Sequence, residues 1–149
     1  MTKPTKFEII PVKELALKGI IPDASPLLPI AFVVDDESLI ADTLAVILRR
    51  FGFSAFAFYD AASVQEFALT VTPDIVITDV QMPGMNGVDL AIALRKSSPE
   101  VKVLLFSGQA STADLLSKAQ DNGYTFSVLA KPIHPTDLLA EVSSLMGGD

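Results

Sequence analysis

Five side chains that can do chemistry follow strand-like segments of this chain. Asp35 and Asp36 come directly after one apolar run, Asp79 closes a second, and Ser107 and Lys131 follow two more. Three clustered carboxylates repel one another, and a divalent cation such as Mg²⁺ relieves that repulsion through oxygen ligands. A carboxylate in such a site can attack phosphorus, while an ammonium group and a hydroxyl group stabilise the phosphoryl oxygens.

The elements that must position these groups alternate along the chain. Short apolar runs rich in β-branched residues alternate with longer amphipathic stretches, which is typical of repeated βα units. Apolar strands of this kind suit a parallel sheet covered on both faces. We therefore predict an α/β fold: a doubly wound five-stranded parallel sheet in a three-layer α/β/α sandwich. The predicted strands are 30–34, 53–58, 74–78, 101–106 and 125–129, and the predicted helices are 37–50, 61–70, 87–97, 111–121 and 135–146.

Apolar residues recur at helical spacing in the first and last predicted helices, so we predict that these stripes face the core. They are Leu39, Ile40, Leu44, Ile47, Leu48 and Phe51 in the first, and Leu138, Leu139, Val142, Leu145 and Met146 in the last. Ligands of such sheets bind outside the carboxyl ends of the strands, near the point where strand order reverses. The five reactive side chains should therefore meet at one edge.

The chain divides into a proline-rich N-terminal extension at residues 1–29, a main domain at 30–146 and a tail at 147–149. Within the extension we predict a short helix at Val12 to Lys18, which follows Pro11 and ends at Gly19. This extension could dock on the main domain, or it could serve as an arm that contacts another protein.

Composition excludes several classes of function. Eleven basic residues against eighteen acidic ones give a net charge of −7, which argues against direct nucleic acid binding. The absence of cysteine excludes disulfides, thiolate metal sites and thiol catalysis. No apolar run approaches the roughly 20 residues that a membrane helix needs, and no cleavable leader is evident, so we expect a cytoplasmic protein.

Each reactive residue alone has a simpler role. Asp36 could cap the following helix, Asp79 could be a turn acid, Ser107 a loop hydroxyl and Lys131 a solvated cation. Their joint placement at four strand ends favours a shared site.

Four motifs, in this order and spacing, resemble the receiver domain of two-component signalling over about residues 30–146, with its flavodoxin-like fold. They are Val33-Val34-Asp35-Asp36-Glu37, Asp79-Val80-Gln81-Met82-Pro83-Gly84-Met85-Asn86-Gly87, Phe106-Ser107-Gly108 and Ala130-Lys131-Pro132.

The resemblance implies that Asp79 is the phosphoacceptor. It also implies that Asp36 and Asp79 bind Mg²⁺ with the backbone carbonyl of Gln81, and that Asp35 assists mainly through water. Ser107 and Lys131 would hold the phosphoryl group. The peptide bond before Pro132 would be cis, which is accessible because X-Pro bonds favour trans only weakly.

Three further positions are interpreted by resemblance. Gln81 and Gln109, each two residues past a site residue, are hypothesised to tune hydrolysis of the phosphoryl group, with solvated loop amides as the alternative. Val128 stands where the family commonly has an aromatic switch residue, and a branched aliphatic side chain cannot swing a ring between buried and exposed positions. The single histidine, His134, is interpreted as a surface residue.

We therefore expect a stand-alone receiver that acts as a self-catalysed phosphoacceptor and not as a turnover enzyme. Its partners would be a histidine kinase or phosphotransfer protein and a downstream protein target, and a homodimer is allowed. One alternative is a receiver-fold scaffold that signals without phosphate. Another is an aspartyl-phosphate phosphatase resembling haloacid dehalogenases, which have a second Asp two residues past the nucleophile, where this chain has Gln81.

Overall fold

The computed structural model describes residues 27–108 and 112–147. Within these ranges, five strands alternate with five helices. In chain order they are β1 (Ile30–Val34), α1 (Ser38–Arg50), β2 (Ser54–Phe58), α2 (Ala61–Phe67), β3 (Ile75–Asp79), α3 (Gly87–Ser97), β4 (Lys102–Ser107), α4 (Thr112–Asp121), β5 (Ser127–Ala130) and α5 (Pro135–Leu145). The predicted helix at Val12 to Lys18 and most of the tail lie outside the described residues.

The strands form one parallel sheet in the order β2-β1-β3-β4-β5. The strand order reverses at β1, which pairs with β2 on one side and β3 on the other. The carboxyl ends of β1 and β3 therefore lie side by side at the point where ligands bind in sheets of this kind. The predicted doubly wound, three-layer fold is confirmed.

Two apolar layers cover the two faces of the sheet. Neighbouring residues of β1 alternate between them, because successive side chains of a strand point to opposite faces: Phe32 belongs to one layer and Val33 to the other. In the first layer the Phe32 ring centroid lies 5.0 Å from that of Phe58 and 5.5 Å from that of Phe67. This packing fixes β1 and thus the start of the loop that follows it.

Several element boundaries differ from the predicted ones by one to three residues. Strands β2, β3, β4 and β5 begin one or two residues later than predicted, and α2 ends at Phe67 instead of residue 70. After Phe67 the chain turns, with the backbone N–H groups of Leu69 and Thr70 each bonding to a carbonyl three residues back. These short-range bonds replace the helical pattern.

The predicted core stripe of α1 is also partly wrong. Its buried residues are Ala41, Leu44, Ala45 and Leu48, whereas Leu39 is 78% exposed and Phe51 is 47% exposed. Leu39 precedes Leu44 by five positions and so lies about 140° around the helix from it. No helix among the described residues is long and apolar enough to cross a membrane.

Candidate functional site

Asp35 follows β1 and is buried within the carboxyl edge of the sheet. Its side chain is fully inaccessible to solvent, and Oδ1 accepts a hydrogen bond from the backbone N–H of Glu37 at 2.9 Å. The backbone N–H of Asp35 donates to the carbonyl of Phe58 at 3.1 Å. These bonds fix the carboxylate relative to both β1 and β2.

Asp36 is exposed, in contrast to its neighbour Asp35. The N-cap position of α1 is Glu37, and helix α1 begins at Ser38. The simpler role for Asp36 as the cap of this helix is therefore wrong, and its carboxylate remains at the solvent side of the site.

Asp79 is the last residue of β3 and is 4% exposed. Its Oδ1 accepts from the backbone N–H of Gln81 at 3.3 Å, and its carbonyl oxygen accepts from the Thr78 hydroxyl at 3.0 Å. A Cβ atom added to Gly87 would lie 2.0 Å from that carbonyl oxygen. Glycine at position 87 therefore lets α3 begin directly against the backbone of Asp79.

Lys131 brings the cation into the site from the end of β5. Its Nζ lies 3.2 Å from Oδ2 of Asp79 and 3.5 Å from Oδ2 of Asp35. The backbone N–H of Lys131 donates to the carbonyl of Ser107 at 3.0 Å, and the peptide bond to Pro132 is cis, as the resemblance implied. One side chain thus pairs with two acids from two different strands.

Burial and neighbouring charges have opposite effects on the pKa values of Asp35 and Lys131. Burial raises the pKa of the Asp35 carboxyl above its usual value, and the hydrogen bond from Glu37 and the charge of Lys131 offset this only in part. Partial burial acts to lower the pKa of Lys131, but the attraction of Asp79 and Asp35 outweighs it and raises that pKa above its usual value. The lysine is therefore a persistent cation next to Asp79.

The three acids fit a divalent cation. Asp35, Asp36 and Asp79 each offer a carboxylate oxygen, and these oxygens lie within 4.8 Å of one another. Oδ2 of Asp35 is buried without a hydrogen bond, and its contact with Lys131 at 3.5 Å is longer than a good hydrogen bond. A set made only of hard oxygen donors, one of them on an exposed residue, suits Mg²⁺ with water in the open positions.

Ser107 ends β4 at the same edge and is 8% exposed. Its hydroxyl is hydrogen-bonded to the hydroxyl of Thr112, the first residue of α4, which is 5% exposed. Sequence reasoning missed Thr112. The signal that could have found it was a hydroxyl residue at a predicted helix start, five residues past a site serine.

The remaining predicted positions differ in their surroundings. Gln81 is exposed, Val128 on β5 is 40% exposed, and His134 is an exposed N-cap residue of α5 without a capping bond from its side chain. Phe126 packs against the apolar core from a partly buried position. Gln109 lies outside the described residues.

The fold and site together define a parallel α/β domain with an acidic, lysine-containing pocket at its switch point. A family model described as the response regulator receiver domain matches residues 31–143. The chain belongs to this family. The DNA-binding response regulator MtrA of Mycobacterium leprae (strain TN) is 30% identical over 110 residues, which are 74% of this chain and 48% of that protein.

Other comparisons agree with this assignment. The transcriptional regulatory protein CreB of Escherichia coli (strain K12) is 30% identical over 115 residues, covering 77% of this chain and 49% of that protein. The chain thus spans about half the length of these relatives. A receiver domain protein (CheY-like) from Methanospirillum hungatei JF-1 has the same fold, with a TM-score of 0.74 and 23% identity over 80% of this chain and 94% of that chain.

Proposed function

We propose that this chain is the phosphoacceptor of a two-component phosphorelay. In this proposal Asp79 receives a phosphoryl group from the phosphohistidine of a histidine kinase or phosphotransfer protein, and the modified domain binds its downstream partner differently. The observation that carries the proposal is the position of Lys131, 3.2 Å from Asp79, beside three clustered carboxylates.

Each residue of the site has its own role in the proposed phosphoryl transfer. An oxygen of Asp79 attacks phosphorus, the bond from phosphorus to the donor imidazole breaks, and its electron pair returns to the ring nitrogen. Lys131 neutralises a phosphoryl oxygen on the product, and Ser107 donates a hydrogen bond to another. Asp36, Asp79 and the Gln81 carbonyl would hold Mg²⁺, with Asp35 acting through water. When bound, Mg²⁺ supplies charge neutralisation for the transferred group.

The surface beside the site supports the proposal that the phosphoryl group comes from another protein. Leu39, Ile40 and Thr43 of α1 line a groove of about 580 Å³ together with Lys131 and the residues that follow it, Pro132 and Ile133. The exposed Leu39 gives this groove an apolar rim next to the reacting groups. We propose that the phosphodonor protein contacts the chain here.

We propose a self-catalysed acceptor and not a turnover enzyme. A phosphatase of the haloacid dehalogenase type requires an acid two residues past its nucleophile, and Gln81 occupies that position.

A phosphate-independent scaffold is the second candidate, because Val128 cannot act as an aromatic switch. The buried, ion-paired Asp35 argues against a scaffold. Burying a carboxylate is unfavourable, and a domain that does not bind phosphate would have no need for one in this position. The net charge of −7 supports our proposal that these residues do not bind DNA directly.

The test is the stoichiometry of phosphate incorporation from acetyl phosphate, with and without Mg²⁺. We expect one Mg²⁺-dependent phosphate per chain and no sustained hydrolysis of p-nitrophenyl phosphate. Asp121→Asn, which changes an acid at the far end of α4, is the matched control and should label normally. Many turnovers per chain would support the phosphatase instead. No incorporation, together with unchanged partner binding by an Asp79→Asn variant, would support the scaffold.

A further inference from the structure

Ser107 takes part in the proposed transfer through its hydroxyl group, whereas its hydrogen-bond partner Thr112 has no part in that chemistry. Both residues are buried, at 8% and 5% exposure. Their hydroxyl oxygens are hydrogen-bonded to each other across the segment between β4 and α4. A buried hydroxyl pair of this kind gives each oxygen a defined partner and restricts the rotation of both groups.

The number of protons in this pair limits what Ser107 can do. A hydroxyl group has one proton to donate and can also accept. If Ser107 donates to Thr112, no proton remains for a phosphoryl oxygen on Asp79. If Thr112 donates to Ser107, the Ser107 proton is available for the phosphoryl group. The same contact therefore blocks or supports transfer, according to which oxygen is the donor.

We propose that Thr112 is a positioning residue for phosphoryl transfer, which donates its hydroxyl proton to Ser107 Oγ and thereby directs the Ser107 proton toward the phosphoryl group. This inference rests on the proposed function of Asp79. Ser107 is held from its other side as well, because its carbonyl accepts the backbone N–H of Lys131 at 3.0 Å. Backbone and side chain of Ser107 are thus fixed by two separate residues that flank the site.

The side chain of Thr112 can be changed with little change in shape. Valine has nearly the volume of threonine but no hydroxyl, so Thr112→Val removes the donor and keeps the packing. Thr112→Ser keeps the donor and removes a methyl group. Thr70→Val is the matched control, because Thr70 donates its hydroxyl to the carbonyl of Phe67 in the turn after α2.

The experiment measures the rate of labelling by acetyl phosphate at fixed Mg²⁺ for wild type, Thr112→Val, Thr112→Ser, Ser107→Ala and the double variant Ser107→Ala/Thr112→Val. We expect Thr112→Val to slow labelling by about two- to tenfold, the effect of one neutral hydrogen bond. Thr112→Ser should restore most of the rate, and Thr70→Val should not slow it. In the Ser107→Ala background, Thr112→Val should have no further effect, because Thr112 acts through Ser107.

Three results would overturn the inference: an unchanged rate in Thr112→Val, an equally slow Thr112→Ser, or the same slowing by Thr112→Val when Ser107 is already alanine. Urea unfolding of each variant separates a loss of stability from a loss of rate. Normal labelling of Ser107→Ala, with none of Asp79→Asn, would refute the inference and leave the proposed function intact. Equal labelling of Asp79→Asn and wild type would refute the proposed function itself.

Discussion

Lys131 places its ammonium nitrogen 3.2 Å from Oδ2 of Asp79, although these residues lie at the ends of strands β5 and β3, which are separated in the sheet by β4. The lysine side chain spans β4 beside the ring of Phe106, whose centroid is 5.2 Å from Nζ. The long lysine side chain thus carries a positive charge from β5 across β4 to the acid at the end of β3.

Replacing Lys131 should slow phosphorylation without abolishing the acceptor. Lys131→Met keeps much of the side-chain length and removes the charge, so the phosphoryl oxygens lose a charge-assisted hydrogen bond. We expect labelling by acetyl phosphate to slow by about ten- to hundredfold. Lys118→Met, at the last turn of α4, is the control. A wild-type rate in Lys131→Met would exclude a direct role for the ammonium group.

The burial of Asp35 should make stability depend on pH in the absence of metal. The folded protein holds the Asp35 proton more tightly than the unfolded chain, because burial raises its pKa above the ordinary 3.8. The contribution of Asp35 to the free energy of unfolding should therefore fall as pH rises from about 3.8 through the raised pKa. Asp35→Asn lacks this contribution, so its stability relative to wild type should increase across that interval.

The measurement for Asp35 is urea unfolding at a series of pH values with a chelator present. Asp60→Asn provides a contrasting control, because its hydrogen bond from Ser63 lowers the pKa of Asp60. If the free energies of unfolding of Asp35→Asn and wild type changed in parallel with pH over the whole range, the pKa of Asp35 would not be raised in the folded protein.

Mg²⁺ should stabilise the folded protein through Asp36. A ligand that binds only the native state raises its stability in proportion to the logarithm of ligand concentration over Kd. Near saturation we expect Mg²⁺ to raise the unfolding midpoint by about 5 °C, and Asp36→Asn should lose most of this shift. Glu100→Gln removes an exposed acid outside the cluster of three acids, so this variant should keep the Mg²⁺-induced shift of the unfolding midpoint. Equal shifts in all three proteins would place Mg²⁺ elsewhere.

Gly87 should not tolerate a side chain. The Cβ of Gly87→Ala would lie 2.0 Å from the carbonyl oxygen and 2.8 Å from the carbonyl carbon of Asp79, so the backbone of the acceptor must move. We expect a loss of about 1–3 kcal/mol of stability in urea unfolding, together with slower labelling. At Gly108 an added Cβ would meet Lys131 Cβ at an ordinary 3.6 Å. A Gly87→Ala variant as stable as Gly108→Ala would contradict the close approach of α3 to Asp79.

The fold was predictable because its signal is repetitive. The alternation of strand and helix depends on many residues at once, and parallel strands bring their carboxyl ends to one edge. That rule is enough to predict from the sequence that Asp35, Asp79 and Lys131 meet. The cis peptide at Pro132 followed from the family resemblance and not from this rule.

The failures concern features that periodicity does not encode. Leu39 is apolar, but its position around α1 and not its type decides its exposure. Phe126 falls within the predicted strand 125–129, yet its ring stacks on that of Tyr124, with ring centroids 6.2 Å apart, before β5 begins. The hydrogen bond between Ser107 and Thr112 joins the end of β4 to the first residue of α4, and the spacing of these two residues in the sequence does not predict it.

The central claim is that Asp79 forms the acyl phosphate, and reductive trapping tests it most directly. Borohydride converts a phosphorylated aspartate to homoserine, which peptide mass spectrometry locates in the sequence. After treatment with acetyl phosphate and Mg²⁺, the account predicts homoserine at position 79 in wild type and none in Asp79→Asn. Homoserine at Asp35 or Asp36, or phosphate incorporation without homoserine at position 79, would contradict it.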